Sequence, residues 1–152
     1  MFLGSFKYSL DSKFRISIPA TMRKFLKPEA NDTFVLTRGT TKCIVVYPMD
    51  NWKELVASRL SQLNAFDPQD AKFLRMFLQE AAEDQLDSQS RLTIPKNLVE
   101  FAEIKKEVLI LGVNQFIELW NPENYETYLK ENIQPYDQIA KEVMSLERRT
   151  NT

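Results

Sequence analysis

The chain has 152 residues, of which 43% are hydrophobic and 27% charged, and its formal net charge is −1. This composition is typical of a soluble globular protein and argues against disorder. The apolar runs are far shorter than the ~20 residues that a membrane span needs, and no secretory signal is apparent. The chain has no histidine and one cysteine, Cys43, which excludes Ser-His and Cys-His catalytic arrangements and a cysteine zinc cluster.

Charge is unevenly distributed along the chain. Residues 1–27 contain six lysines and arginines against the single acidic residue Asp11, a local charge of +5, which leaves −6 for the remainder. A basic surface on an otherwise acidic protein is typical of nucleic-acid binding, although an ordinary solvated surface can carry the same charge. No glycine-rich phosphate-binding loop is present. We therefore expect no cofactor, no metal, no small-molecule substrate and no catalysis.

The first elements of the chain form a predicted hairpin. Apolar and polar residues alternate over residues 2–10, as in a half-buried strand, and alternation resumes over residues 15–18. The intervening residues 11–13 have turn chemistry, because Asp and Ser side chains bond the nearby backbone. The hairpin would carry Lys13 at its tip, and its return strand would begin at Arg15.

A short helix is predicted to begin at Pro19, followed by strands over residues 33–37 and 43–47. Asp50 is a predicted N-cap for the next helix, and Asp67 caps a further helix that runs to residue 78. The second half repeats this order, with strands over residues 81–86, 91–94, 108–113 and 116–120, helices from Pro95 and Pro122, and a final helix over residues 136–146 before a frayed tail.

A sequence repeat divides the chain in two. Residues 10–19 and 86–95 are identical at six of ten positions with an offset of 76, half the length of the chain. Two ββαββα half-repeats, each too short for a complete core, predict one pseudo-symmetric α+β domain: a small β-barrel or sandwich flanked by helices. The predicted parts are half-repeat 1 over residues 1–66, a connecting helix over 67–79, half-repeat 2 over 80–135, and a C-terminal helix and tail over 136–152.

Both copies contain an Asp four residues before an Arg. Asp11 precedes Arg15, and Asp87 precedes Arg91. One interpretation is structural, with the aspartate accepting turn N–H groups and closing the turn through an ion pair. The other is that the aspartate orients a guanidinium towards a DNA phosphate or a guanine edge. Lys13 favours the second interpretation for the first copy, whereas the second copy lacks an equivalent cation.

At these residues the chain resembles the MraZ family of bacterial transcription regulators, which is related to the AbrB-type swapped-hairpin DNA-binding proteins. The resemblance covers nearly the whole chain, and the duplicated D-x-x-x-R motif is its specific mark. Supporting matches are Leu10-Asp11-Ser12-Lys13, Arg15-Ile16-Ser17-Ile18-Pro19, Tyr47-Pro48, Lys106-Glu107-Val108 and Phe116-x-Glu118-Leu119-Trp120.

The resemblance implies a double swapped-hairpin β-barrel whose subunits assemble into a ring in the cytoplasm, at the bacterial nucleoid. It further implies binding of tandem short DNA repeats upstream of the division and cell-wall gene cluster, in front of the protein's own operon. The expected DNA-binding residues are Lys7, Lys13, Arg15 and Arg91, with Asp11 and Asp87 orienting the arginines.

The chain departs from the family pattern just before each motif arginine. Family members usually carry Gly there, whereas this chain has Phe14 and Ser90. Either the turn geometry differs, or these residues adopt a positive φ at some energetic cost.

The sequence is also compatible with two other functions. The first is an antitoxin-like protein-interaction module without specific DNA binding, in which the hairpins are only a scaffold. The second is a carboxylate enzyme in which Glu83, Asp84 and Asp87 hold Mg²⁺. The first copy has no matching acidic group beyond Asp11, so a solvated surface explains this cluster better.

Overall fold

The computed structural model describes residues 1–131 and 134–145. The chain divides into two compact units, Met1–Pro122 and Glu123–Thr152. The first unit contains all the described strands, and the second consists largely of the last two helices. No helix in the described part of the chain is both long enough and apolar enough to cross a membrane.

Eight strands lie in the first unit and follow the predicted order. Their bounds are β1 Ser5–Ser9, β2 Arg15–Ser17, β3 Thr33–Arg38, β4 Ile44–Pro48, β5 Ala82–Gln85, β6 Arg91–Thr93, β7 Glu107–Val113 and β8 Phe116–Trp120. The α-helices in the described residues are α1 Ala20–Arg23, α2 Met49–Ser58, α3 Pro68–Gln79, α4 Lys96–Phe101, α5 Pro122–Glu131 and α6 Tyr136–Val143. The α+β class and the repeated element order are as predicted.

The strands form two antiparallel sheets. Six strands pair in the order β1-β7-β8-β4-β3-β5, and β2 pairs with β6 alone. Exchanging the first four strands for the last four leaves the pairing pattern unchanged, so the two half-repeats are related by a pseudo-twofold arrangement. Among the described residues the strands do not close into a barrel.

The expectation of a simple hairpin at the first motif is wrong. The turn after β1 is present, but β1 pairs with β7 and β2 pairs with β6, so the flanking strands belong to different sheets. In the second copy, β5 likewise pairs with β3. Each motif strand therefore takes its partner from the other half-repeat. The pairing places Ile16 opposite Leu92, and both side chains are fully buried, so burial of apolar surface favours this exchange of partners.

One hydrophobic cluster joins the two sheets. Ile16 and Leu92 from the small sheet pack with Ile44, Ile110 and Ile117 from the large one, and all five are fully buried. The short helices α1 and α4 follow prolines and close the cluster with Met22 and Leu98. Burial of large aliphatic side chains is the main source of stability in such a core, and here it requires both half-repeats.

Two helix caps test the sequence predictions. Asp67 caps α3 as predicted, with its side chain accepting the Asp70 N–H at 2.9 Å. The Asp50 prediction is wrong, because Pro48 is the N-cap and Asp50 lies in the first turn of α2. A carboxylate is still favourable there, since the first turn presents unpaired N–H groups and the positive end of the helix dipole. The predicted frayed tail lies outside the described residues.

Candidate nucleic-acid interface

The first motif folds into a turn held by one carboxylate. Asp11 Oδ1 accepts the backbone N–H groups of Lys13 at 2.9 Å and Arg15 at 2.8 Å. Asp11 Oδ2 accepts the Nε–H of Arg15 at 2.7 Å. The same side chain therefore closes the turn and fixes the direction of the arginine. The two interpretations of the motif are compatible.

The second motif repeats this geometry. Asp87 Oδ1 accepts the N–H groups of Gln89 and Arg91, both at 2.9 Å, and its Oδ2 accepts the Arg91 Nε–H at 2.9 Å. Backbone N–H donation from Arg91 and Gln89, together with the Arg91 side chain, lowers the pKa of Asp87. The pKa of Asp11 is lowered in the same way, first by the Arg15 N–H. Both carboxylates are therefore held in the charged form.

The residues that replace the family glycine adopt a left-handed backbone. Phe14 has φ of 59° and Ser90 has φ of 58°. Their carbonyl groups accept hydrogen bonds across the repeat, Phe14 from Ile94 N–H at 2.8 Å and Ser90 from Ile18 N–H at 3.1 Å. Both residues thus adopt the positive φ that glycine would permit, and its energetic cost is borne in both copies.

The small sheet displays the two arginines on one face. In the β2–β6 register, Arg15 lies opposite Thr93, and Arg91 lies opposite Ser17. Opposite residues of an antiparallel pair share a face, and residues two apart on one strand do too. We call this outer face, formed by Arg15, Ser17, Arg91 and Thr93, the ribbon face. Its reverse side carries the buried residues that enter the core.

The arginines on the ribbon face keep donors available. Only the Nε of Arg15 is engaged in a hydrogen bond or ion pair within the described residues, which leaves its terminal Nη groups without a protein acceptor. Arg91 Nη1 lies 4.0 Å from Asp11 Oδ2, so the two motifs also interact with each other. The side chains of Arg15 and Arg91 remain 27% and 25% exposed, and this exposure allows contact with a bound anion.

The two predicted lysines lie in different places. Lys13 is exposed in the turn beside the ribbon face. Lys7 lies on β1 of the large sheet, opposite Leu109, whereas its neighbours Phe6 and Tyr8 pack towards the core. Lys7 therefore points away from the core on the other sheet. The structure places Arg15 and Arg91 on one face of the small sheet and Lys13 in the adjoining turn, whereas Lys7 lies on the large sheet.

Carboxylate and thiol chemistry find little support. Glu83 and Asp84 are neighbours on a strand and point to opposite faces, and Asp84 Oδ2 accepts the Thr93 N–H at 2.8 Å. The described residues contain no group of three potential ligand side chains able to hold a metal ion. Cys43 is buried, and desolvation raises the pKa of its thiol to about 12, so it carries no thiolate at neutral pH.

Sequence reasoning missed two residues of the ribbon face. Ser17 and Thr93 are exposed and share this face with the arginines. A signal for them was present, because both copies carry a hydroxyl residue two positions after the motif arginine. That alternation places the hydroxyl on the arginine's side of the strand, but the pairing that makes one face from two copies is not visible in the sequence.

Comparison with known proteins identifies the family. The model of the family described as "MraZ protein, putative antitoxin-like" matches residues 1–76 and again residues 77–146. A protein of Natranaerobius thermophilus is 40% identical over 97% of this chain and 99% of its own length. One from Halothermothrix orenii is 41% identical over 92% and 94%, and one from Alkaliphilus metalliredigens 38% identical over 96% and 99%. All three are named "Transcriptional regulator MraZ". Because the two matches of the family model together cover residues 1–146, and because these relatives are similar over almost the whole chain, this chain belongs to the MraZ family.

Proposed function

We propose that this protein is a sequence-specific DNA-binding transcriptional regulator and has no catalytic activity. The observation that carries the proposal is the ribbon face, where two oriented arginines lie on one surface and the terminal Nη groups of Arg15 have no acceptor among the described residues. The names of the relatives support a regulatory role. Such a role would place the protein at the nucleoid in the bacterial cytoplasm.

The chemistry of the ribbon face suits duplex DNA. A two-stranded β-ribbon fits the major groove, where an arginine can donate two hydrogen bonds to a guanine edge. Asp11 and Asp87 would pre-orient the arginines, which reduces the entropy lost on binding. Lys13 would contact a phosphate beside the ribbon. Lys7, on the other sheet, would contribute at most a peripheral phosphate contact.

The proposed target is a set of tandem short repeats upstream of the protein's own operon in the division and cell-wall gene cluster. One ribbon face offers few cations, so a single subunit would bind weakly. A homo-oligomeric ring that repeats this face could bind several boxes together, and the linked contacts would multiply the affinity. The proposed function involves no membrane partner and no small-molecule substrate.

We also propose that the crossed strands constitute a double swapped hairpin, and that the two half-repeats form a single domain. The pairing of β2 with β6, and of β1 and β5 with strands of the opposite half-repeat, supports this reading. In this arrangement the ribbon face exists only when both copies are folded.

A gel-shift titration against the DNA upstream of the gene tests the proposal. Arg15→Ala should abolish specific binding while the oligomer stays intact, and Arg91→Ala should weaken it. Arg15→Lys retains the charge but loses the planar guanidinium that can donate two parallel hydrogen bonds. Compared with Arg15→Ala, it should therefore recover non-specific binding more than specific binding. Each lost phosphate contact should lower the slope of log affinity against log salt by about 0.9.

Lys53→Ala is the matched control, because Lys53 is an exposed cation on α2, away from the ribbon. It should leave operator affinity unchanged. Unchanged operator affinity in Arg15→Ala would refute the proposed interface. If Lys53→Ala lost as much affinity as Arg15→Ala, only the overall charge of the protein would matter.

An antitoxin-like protein-interaction module is the second candidate. The family description contains the term "antitoxin-like". The α2–α3 region also exposes several apolar side chains, namely Val56, Phe66, Phe73, Met76 and Leu78. A protein that binds only another protein would show no specific shift with upstream DNA at either low or high salt.

A further inference from the structure

The small sheet has two outer edges, one on β2 and one on β6, which we call the β2 edge and the β6 edge. Ile18 N–H donates to the Ser90 carbonyl at 3.1 Å, just beyond the last pair of the ladder. Hydrogen-bonded and non-hydrogen-bonded pairs alternate in an antiparallel ladder, so the N–H groups of Ser17 on β2 and Thr93 on β6 point outwards at these edges. The repeat makes the two positions equivalent, since they are 76 residues apart.

A carboxylate closes the β6 edge. Asp84 of β5 accepts the outward Thr93 N–H on its Oδ2 at 2.8 Å. The equivalent residue of the first copy is Tyr8, which has no carboxylate and packs against the core. Ser17 is exposed, and its N–H has no acceptor among the described residues. The β2 edge therefore keeps an open donor at the position where the β6 edge has a carboxylate.

Charge differs in the same sense at other equivalent positions. The turn before β2 carries Lys13, whereas the turn before β6 carries Gln89. Further upstream, Lys7 on β1 corresponds to Glu83 on β5, and both side chains are exposed. The side of the ribbon formed by β1 and β2 is therefore basic, and the side formed by β5 and β6 is acidic, although each strand of the ribbon keeps one motif arginine.

This difference matters in a DNA groove, which has a phosphate backbone on each side. A two-stranded ribbon in the major groove turns one edge towards each backbone, and both backbones are negatively charged. The Ser17 N–H and the Lys13 ammonium suit a phosphate, because backbone N–H groups and lysines are common phosphate contacts. Asp84 does not, since its carboxylate repels a phosphate and already accepts the N–H that a phosphate would need.

We propose that the ribbon face contacts the phosphate backbone of only one DNA strand, through the β2 edge, and that Asp84 keeps the β6 edge away from the backbone of the other strand. The inference rests on the proposed DNA binding and assigns Asp84 a role in positioning the ribbon in the groove. Removal of the Asp84 charge should therefore increase affinity for DNA. Loss of a merely structural hydrogen bond would not have that effect.

Neutral methylphosphonate linkages, placed in one DNA strand at a time, test the proposal. The probe is the shortest duplex from upstream of the gene that the unsubstituted full-length protein shifts specifically. Neutral linkages opposite the β2 edge should lower affinity. Neutral linkages in the other strand, opposite the β6 edge, should raise it about fivefold, the effect of one unit charge roughly 4 Å from another in water. Equal losses for both strands would overturn the inference.

Asp84→Asn removes the charge and retains a side-chain oxygen for the Thr93 N–H. This variant should bind unmodified DNA about fivefold more tightly than the unsubstituted protein. It should also gain nothing from neutral linkages opposite the β6 edge, because the repulsion that they relieve is already absent. Unchanged or lower affinity in an Asp84→Asn protein that melts at the normal temperature would contradict the proposal.

A double variant converts the β6 edge into a basic one. Asp84→Asn with Gln89→Lys should steepen the slope of log affinity against log salt by about 0.9, the value for one added phosphate contact. Gln89→Lys alone should steepen it less, because the Asp84 carboxylate still repels the backbone. An unchanged slope in the double variant would count against a phosphate backbone facing this edge.

Glu54→Gln is the matched control. Glu54 is an exposed carboxylate on α2, away from the ribbon, so the variant loses the same charge as Asp84→Asn. Its affinity for the operator should equal that of the unsubstituted protein. A fivefold gain in Glu54→Gln as well would show that net charge, and not the β6 edge, sets the affinity.

Failure of the inference is distinguishable from failure of the proposed function. Absence of any specific shift with unmodified DNA would refute the proposed function and the inference with it. A specific shift that neutral linkages weaken equally in both strands, and that Asp84→Asn does not strengthen, would refute the inference alone.

Discussion

At the scale of single residues, the motif aspartates do two things at once. Asp11 accepts two backbone N–H groups and the Nε–H of Arg15, and Asp87 repeats the pattern with Arg91. The spacing of four residues predicted this contact, because an Asx-type turn brings the fourth residue back to the carboxylate. The approach of Arg91 to Asp11 at 4.0 Å was not predictable, since the two are 80 positions apart.

The lowered pKa of both aspartates implies a pH-dependent stability. A group whose pKa is lowered by folding stabilises the protein fully above its ordinary value of 3.8 and loses that contribution as the pH falls through its lowered value. We expect the melting temperature to be constant from pH 7 to about pH 5 and then to decline. In the double variant Asp11→Asn and Asp87→Asn, thermal unfolding should show a shallower decline.

Asp11→Ala should lower both thermal stability and operator affinity, because the turn and the orientation of Arg15 depend on the same carboxylate. Asp84→Ala is a useful comparison, since within the described residues the Asp84 carboxylate accepts one hydrogen bond, from the Thr93 N–H. A fully stable Asp11→Ala protein that no longer binds DNA would contradict the architectural role.

The two positive-φ residues should respond differently to glycine. Ser90→Gly relieves the left-handed strain and should raise the free energy of unfolding by about 0.5–1 kcal/mol. Phe14→Gly gains the same relief but loses the burial of a ring packed against the core, so a net destabilisation of about 1 kcal/mol is expected. Urea unfolding of both variants measures the difference, and equal effects at both positions would argue against this account.

At the scale of elements, periodicity identified nearly all strands and helices of the first unit. β8 has its predicted bounds, and β3, β4 and β7 differ by a residue or so at their ends. The error at the first motif concerned pairing: β1 and β2 are adjacent in sequence yet lie in separate sheets. Alternation reports which side of a strand is buried and carries no information about which strand lies beside it.

Gly112 in β7 should tolerate no side chain. A Cβ there would lie 2.3 Å from the Leu3 nitrogen and 2.6 Å from the Phe2 carbonyl carbon. Gly112 N–H also donates to the Gly4 carbonyl at 2.9 Å. Gly112→Ala should therefore displace the N-terminal segment and cost about 1–3 kcal/mol, typical of overpacking. Val113→Ala is the control in denaturant unfolding, since Val113 is partly exposed and should change stability less.

At the scale of the whole molecule, the half-repeats depend on each other. Ile16 is buried against β6 of the second half, and β5 pairs with β3 of the first. A fragment of residues 1–79 should therefore lack stable structure alone, as should residues 80–152. Their equimolar mixture should recover the circular dichroism spectrum of the intact chain. Cooperative unfolding of either isolated fragment as a monomer would show that the halves are independent.

The sequence by itself determined the duplication, the element order, the Asp–Arg contacts within each motif and the MraZ resemblance, because these depend on local spacing and on the identity of residues. Only the tertiary structure decided that β2 pairs with β6, that both arginines and two hydroxyl residues share one face, and that Lys7 lies on the other sheet. The physical reason is that each half buries its apolar side chains against the other. The exchange of strand partners follows from this shared core. The repeated spacing of the motif in the sequence does not reveal which strands pair.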